Sequence, residues 1–96
     1  MPVLQIEHPV RDYDGWKAAF DSDPAGRLAG GVRGYAIYRP VDDANFVEID
    51  LAFDTVTAAE AFRGRLEAMW RTPGAVSVLG GAPRVRIVDE ADRGEY

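Results

Sequence analysis

The chain has 96 residues, which is long enough for one domain with a single hydrophobic core. Its 16 acidic and 11 basic residues give a formal net charge of −5, which disfavours nucleic acid and anionic membranes as partners, because both require a basic surface. There is no cysteine and only one histidine, which excludes disulfides and thiolate metal sites and leads us to expect no metal. No basic leader and no apolar run of about 18 residues is present, so we expect a cytoplasmic protein without a membrane span.

The first predicted strand covers residues 3–8, where apolar and polar side chains alternate. Leu4, Ile6 and His8 fall on one face of this strand, which we expect to be the buried face. Pro9 ends the strand, since a proline pushes the residue before it out of helical geometry.

The first predicted helix begins near Tyr13, with Asp12 as a suitable N-cap. Tyr13, Trp16 and Phe20 follow one another at i, i+3 and i+7 and form its apolar stripe. Residues 22–31 are then predicted to be a loop. A ten-residue loop is long for so small a domain, which indicates a lid or the rim of a pocket.

A hairpin follows, with predicted strands over residues 32–39 and 46–53 joined by a proline- and aspartate-containing turn. The alternation is clear in the second of these strands, but the first carries an aromatic and an aliphatic side chain on both faces. The hairpin register therefore decides whether Tyr35 or Tyr38 faces the core, and the sequence leaves both alternatives open.

The second predicted helix starts at a capping box, Thr57-Ala58-Ala59-Glu60, with Val56 as the outer half of a hydrophobic staple. It is expected to stop at Thr72-Pro73-Gly74. Its apolar stripe consists of Ala59, Phe62, Leu66, Met69 and Trp70.

Residues 75–79 are predicted to be a short apolar link or a minor strand, residues 84–89 the last strand, and residues 89–96 a frayed tail. The order strand, helix, strand, strand, helix, strand predicts a ferredoxin-like α+β domain over residues 1–96. Its antiparallel four-stranded sheet would carry both helices on one face. The opposite face would carry the polar residues Gln5, Glu7, Glu48, Asp50, Arg84 and Arg86, with Val3, Phe46, Ala52 and Val88 among them.

With these elements in place, the chain resembles the dimeric α+β barrel superfamily, and most of all its small antibiotic-biosynthesis-monooxygenase-like and cyclase-like members. The resemblance covers roughly residues 3–89 and rests on the corner at residues 8–16, the hairpin at 38–43 and the helix at 62–70. In that superfamily two sheets pack face to face across a dimer, and each subunit keeps a pocket between its sheet and helices. The resemblance thus implies a homodimer that binds a small hydrophobic or aromatic molecule and catalyses a monooxygenase-like or cyclase-like reaction with no cofactor.

The resemblance also implies the site residues: His8 as the catalytic residue, and Trp16, Phe20 and Trp70 as ligand-binding residues. A histidine is suited to proton transfer because its ordinary pKa lies near physiological pH. The monooxygenase members rely on an asparagine, a tryptophan and a histidine. The only asparagine here, Asn45, falls in the predicted hairpin turn, so the chain does not reproduce that set.

Each of these residues also has a plainer interpretation. His8 would be a strand-end histidine bound to nearby backbone, and the tryptophans would be ordinary core residues. A non-catalytic ligand carrier or structural dimer is therefore the alternative function. A further alternative is an N-terminal-proline tautomerase, since removal of Met1 would leave Pro2 as a secondary amine able to act as a base, although Pro2 is also a normal start for a strand.

Overall fold

In the computed structural model, which describes residues 1–96, the chain forms four strands and three helices. In chain order they are β1 (Val3–Pro9), α1 (Tyr13–Asp21), β2 (Gly34–Tyr38), β3 (Phe46–Ala52), α2 (Val56–Met69), α3 (Pro73–Val76) and β4 (Arg84–Val88). All neighbouring strands are antiparallel, in the order β2-β3-β1-β4. The predicted ferredoxin-like α+β fold is therefore confirmed. No helix has the length and apolar character needed to cross a bilayer.

One face of the sheet, the inner face, is buried beneath α1 and α2. Along β1 the alternation predicted from the sequence places Leu4, Ile6 and His8 there, each exposed by no more than 4%. Ile6 pairs with Ile49 on β3, and directly opposed residues in antiparallel strands share a face. The helices close the same core with Trp16, Ala59, Phe62 and Leu66.

The opposite side of the sheet, the outer face, carries the polar residues that the sequence assigned to it. Gln5 lies between Asp50 on β3 and Arg86 on β4, and Glu7 lies between Glu48 and Arg84. The outer face consists of Val3, Gln5, Glu7, Ala36, Tyr38, Phe46, Glu48, Asp50, Ala52, Arg84, Arg86 and Val88. It is acidic along β1 and β3 and basic along β4.

The hairpin register decides between the two tyrosines of β2. Tyr35 pairs with Leu51, a core residue, and therefore lies on the inner face, whereas Tyr38 pairs with Glu48 and lies on the outer face. The ring of Tyr35 packs edge-on to Phe20 of α1, with their centroids 5.1 Å apart. Tyr35 is thus the tyrosine that meets the helices, although its position on an edge strand leaves half of it exposed.

The N-cap prediction is right for α1 and wrong for α2. Asp12 caps α1, accepting a hydrogen bond from the backbone N–H of Gly15 at 2.8 Å. The cap of α2 is Thr55 rather than Thr57, since its Oγ1 accepts from the N–H of Ala58 at 3.1 Å. Val56 is the first helical residue and is 46% exposed, so it forms no staple. A threonine two residues earlier satisfies the free N–H groups and lets the helix start soon after β3.

The predicted link or minor strand over residues 75–79 is wrong for its first two residues, which belong to the short helix α3, while residues 77–78 form a turn. Thr72 caps α3 and Pro73 opens it, a position where proline is favoured because its φ is already helical. Only Leu79 makes a β-bridge, to Val10. Residues 89–96 form no helix or strand and are exposed.

Candidate functional site

A cavity of about 310 Å³ lies between the inner face of the sheet and the helices. Its volume falls at the lower end of the range of about 300–1,000 Å³ found for ligand pockets. Of the 21 residues that line it, 14 are hydrophobic. The cavity is therefore suited to a small and mostly apolar molecule.

The four site residues predicted from the sequence all line this one cavity. His8 comes from the end of β1, Trp16 and Phe20 from α1, and Trp70 from the C-cap of α2. Trp16 is buried, with 6% of its surface exposed, while Phe20 and Trp70 are partly buried against the core. The fold thus brings together side chains as far apart in the sequence as His8 and Trp70.

His8 is held in one orientation by its own strand end. Its Nδ1 lies 2.8 Å from the carbonyl oxygen of Pro9. Because a carbonyl can only accept a hydrogen bond, Nδ1 must carry the proton, which leaves Nε2 as a free acceptor in the neutral ring. Burial lowers the pKa of His8 below its ordinary 6.5, and the hydrogen bond to Pro9 opposes that shift only in part. At neutral pH the ring is therefore a neutral base.

A row of aromatic rings runs from His8 along α1. The His8 and Trp16 centroids lie 5.9 Å apart in an edge-to-face arrangement, and Trp16 and Phe20 lie 5.3 Å apart. These spacings are typical of favourable aromatic contacts, so the rings of the row stabilise one another by packing. It offers ring faces and edges along one wall of the cavity.

The predicted loop at residues 22–31 forms part of the cavity rim, and it contributes two charged residues that sequence reasoning missed. Asp23 and Arg27 both line the cavity. The guanidinium carbon of Arg27 lies 3.8 Å from the centre of the Phe20 ring. The only sequence signal for this pair is the i, i+4 spacing of opposite charges, which is too common to identify a site.

The opposite part of the rim comes from the segment around α3. Its lining residues are Thr72, Gly74, Ala75, Val78 and Leu79. The apolar character of this segment is visible in the sequence, but its contact with the cavity depends on the turn of α3 and on the bridge between Leu79 and Val10.

Two residues considered from the sequence lie away from the cavity. Asn45 sits in the hairpin turn, where its carbonyl accepts from the N–H of Val10 at 2.8 Å, and it does not line the cavity. Pro2 is buried, its carbonyl accepts from the N–H of Phe53 at 3.0 Å, and it does not line the cavity either. No group of three or more histidine, aspartate or glutamate side chains is placed to hold a metal ion.

The outer face of the sheet contains carboxylates in an unfavourable environment. Burial, which is the largest cause, and the neighbouring carboxylates of Asp50 and Glu7 together raise the pKa of Glu48 to about 8, while Arg86 opposes the shift. Oε1 of Glu48 and Oδ1 of Asp50 are buried without any hydrogen-bond donor. Arg84 lies on the same face. Its side chain is 84% exposed, and its Nη1 lies 3.7 Å from Oε1 of Glu7.

The chain shares its fold with several proteins described as antibiotic biosynthesis monooxygenases, as comparison with solved structures shows. SnoaB, a cofactor-independent oxygenase from Streptomyces nogalater, superposes with a TM-score of 0.74 at 10% identity, covering 96% of this chain and 94% of that one. A candidate antibiotic biosynthesis monooxygenase from Caulobacter crescentus superposes with a TM-score of 0.71 at 14% identity, covering 95% and 90%. An uncharacterized NIPSNAP domain protein from Burkholderia xenovorans gives 0.64 at 18% identity, covering 99% and 100%. No protein-family model and no curated protein matches the sequence.

Proposed function

We propose that the cavity binds a flat, mostly apolar aromatic molecule and that the protein acts on it as a monooxygenase-like or cyclase-like enzyme without a cofactor. One observation supports this above all: the only histidine of the chain lines an apolar cavity in its neutral form. The fold shared with a cofactor-independent oxygenase is a second, weaker support. The cytoplasmic location expected from the sequence stays a prediction.

In this proposal His8 is the catalytic residue. Its Nε2 takes a proton from an acidic C–H or phenolic O–H of the substrate, while Pro9 holds Nδ1–H in place. The resulting carbanion or phenolate is electron-rich enough to react with O2. If a methylene becomes a carbonyl, one oxygen atom enters the product and the other leaves as water, so that the substrate supplies all four electrons.

Trp16, Phe20 and Trp70 have the role of shaping the cavity and binding the rings of the substrate. They line it from two different helices, so a flat molecule between them would contact aromatic surface on both sides. Exclusion of water by these rings would also keep His8 neutral, since burial is what lowers its pKa.

A ligand carrier without catalysis is the second candidate. It is favoured by the position of Asn45, which lies outside the cavity, so that no asparagine accompanies His8 and Trp16 there. The tautomerase alternative has less support, because Pro2 is buried and does not line the cavity.

The proposal includes a homodimer formed through the outer face. Glu48 Oε1 and Asp50 Oδ1 are buried there without a donor from any other residue of the chain, and the raised pKa of Glu48 reflects that environment, so a donor from a second copy would stabilise the pair. The face is acidic along β1 and β3 and basic along β4, and a twofold axis would bring the acidic part of one copy against the basic part of the other. Charge complementarity therefore favours a second copy of this chain as the occupant.

Oxidation of anthrone to anthraquinone tests the enzymatic function, because anthrone is flat and has an acidic methylene. We expect the protein to accelerate the reaction in air, and His8→Gln to lower kcat by about 10²- to 10⁴-fold, the usual contribution of a general base. Absorbance and O2 consumption measure the turnover. Arg33→Gln is the control, since Arg33 pairs with Asp54 at 2.8 Å and does not line the cavity.

Saturable binding of anthrone without any acceleration would support the carrier instead. Turnover that is equal in the wild type and in His8→Gln would contradict the catalytic role of His8.

A further inference from the structure

Arg27 is the only arginine or lysine on the cavity wall, and it is largely buried. Its side chain is 18% exposed. The guanidinium packs over the ring of Phe20, and its Nη1 donates to the carbonyl of Phe20 at 2.8 Å. The same Nη1 lies 3.5 Å from Oδ1 of Asp23. Stacking on the Phe20 ring and polar contacts from one of the three nitrogens thus fix the position of the cation.

The other nitrogens of this guanidinium make no hydrogen bond within the chain. A guanidinium has five N–H donors, and both polar contacts of Arg27 use Nη1, so Nε and Nη2 keep theirs free. The buried side-chain atoms of the chain that lack a partner are Glu48 Oε1 and Asp50 Oδ1, so Nε and Nη2 of Arg27 stay accessible to a ligand. The Nε–Nη2 edge is also a pair of parallel donors that matches the two oxygens of a carboxylate.

Asp23 does not use up these donors, because its carboxylate is engaged by the loop backbone. Its two oxygens accept from the backbone N–H of Arg27 at 2.9 and 3.1 Å. Asp23 has a φ of +55°, a left-handed conformation that aspartate adopts more readily than most residues other than glycine. The loop is therefore held in a conformation that keeps Arg27 against Phe20.

We propose that Arg27 is a specificity residue that selects aromatic ligands bearing an oxyanion, a carboxylate or an ionised phenol, at one end. This inference rests on the proposed function of the cavity as an aromatic-ligand site. Successive steps of 5.9, 5.3 and 3.8 Å lead from His8 through Trp16 and Phe20 to Arg27, so the base and the cation lie at different points along the same wall. A ligand whose reacting carbon faces His8 would place its oxyanion toward Arg27.

The test compares 2-naphthoate with 2-naphthamide, which has nearly the same shape but no charge. By calorimetry we expect wild-type protein to bind 2-naphthoate about tenfold more tightly than 2-naphthamide, the usual range for one charge-assisted contact. Arg27→Gln removes this preference while the Kd for 2-naphthamide stays within about twofold. Arg27→Lys, which keeps the charge but not the paired donors, retains part of the preference.

Arg33→Gln is again the matched control and leaves both Kd values unchanged, because Arg33 does not line the cavity. Equal affinity of the wild type for the two probes, or equal weakening of both in Arg27→Gln, would overturn the role of Arg27 and leave the cavity as a ligand site. If neither probe binds, the proposed function fails, and this inference fails with it.

Discussion

His8 illustrates how a strand pattern sets the chemistry of one residue. The alternation of β1 puts the imidazole on the inner face, and Pro9 supplies the carbonyl that orients it. Burial then makes the charged ring unfavourable, so His8 is neutral where an exposed histidine would be partly protonated. The same burial that prepares a base also makes folding sensitive to pH.

The pH dependence of stability follows from this residue with a definite sign. The pKa of His8 is lower in the folded chain than in the unfolded chain, so between the two values only the unfolded chain binds the proton. The stabilisation is present above pH 6.5, the unfolded value, and is lost as the pH falls through the folded value. We expect the free energy of unfolding in urea to fall more steeply with acid in the wild type than in His8→Gln. Parallel curves for the two proteins would contradict a buried neutral His8.

At the start of α2, the sequence motif and the structure give different N-cap residues. The capping-box pattern at Thr57 is a good match, but the extended backbone of Thr55 and its contact with the N–H of Ala58 place the cap two residues earlier. Because two threonines lie so close together, the sequence alone does not show which of them is the N-cap of α2. The choice depends on where β3 ends and where Phe62 must enter the core.

Thr55→Ala tests the position of this cap, with Thr57→Ala as its matched control. Loss of an N-cap side chain costs about 1 kcal/mol, so we expect Thr55→Ala to lower the free energy of unfolding by that amount. Thr57 lies in the first turn of α2 and is exposed, so Thr57→Ala is expected to be nearly neutral. Urea denaturation followed by circular dichroism measures both variants. A larger loss of unfolding free energy in Thr57→Ala than in Thr55→Ala would show that Thr57, and not Thr55, is the cap.

Elements whose residues alternate or repeat strongly were predictable, and elements that depend on distant contacts were not. β1, β3 and the stripe of α2 follow from periodicity alone, because a buried face imposes it. The register of β2 was open, since both of its faces are mixed, and only pairing with Leu51 places Tyr35 inside. α3 was missed because the Thr-Pro-Gly sequence that stops one helix can also start another.

The residues of the candidate site also differ in how far the sequence predicts them. His8, Trp16, Phe20 and Trp70 were predicted together because the resemblance placed them near a pocket between sheet and helices. Arg27 was missed, since its place on the wall depends on the path of a loop that no periodicity describes. A positive φ at Asp23 and the stacking of Arg27 on Phe20 set that path.

For the molecule as a whole, the proposed homodimer would form through the outer face. We expect sedimentation at micromolar concentration to give twice the 10.5 kDa mass of one chain. Ala36→Glu adds a carboxylate to the acidic side of the outer face, which should shift the protein toward monomer by like-charge repulsion. Ala61→Glu makes the same change on the exposed side of α2 and should leave the dimer intact.

A monomer at that concentration would contradict the homodimer. Equal loss of the dimer in both variants would show that added charge alone, and not the outer face, is responsible.

Tryptophan fluorescence tests most directly whether the cavity binds a flat aromatic molecule. Trp16 and Trp70 are the only tryptophans of the chain and both line it, so titration with anthraquinone-2-sulfonate should quench tryptophan emission saturably, with one site per chain. Ala75→Phe fills the cavity rim and should weaken binding at least about tenfold, whereas Ala82→Phe, away from the cavity, should not. Linear quenching without saturation, or equal binding by a folded Ala75→Phe variant, would contradict a ligand site between the sheet and the helices.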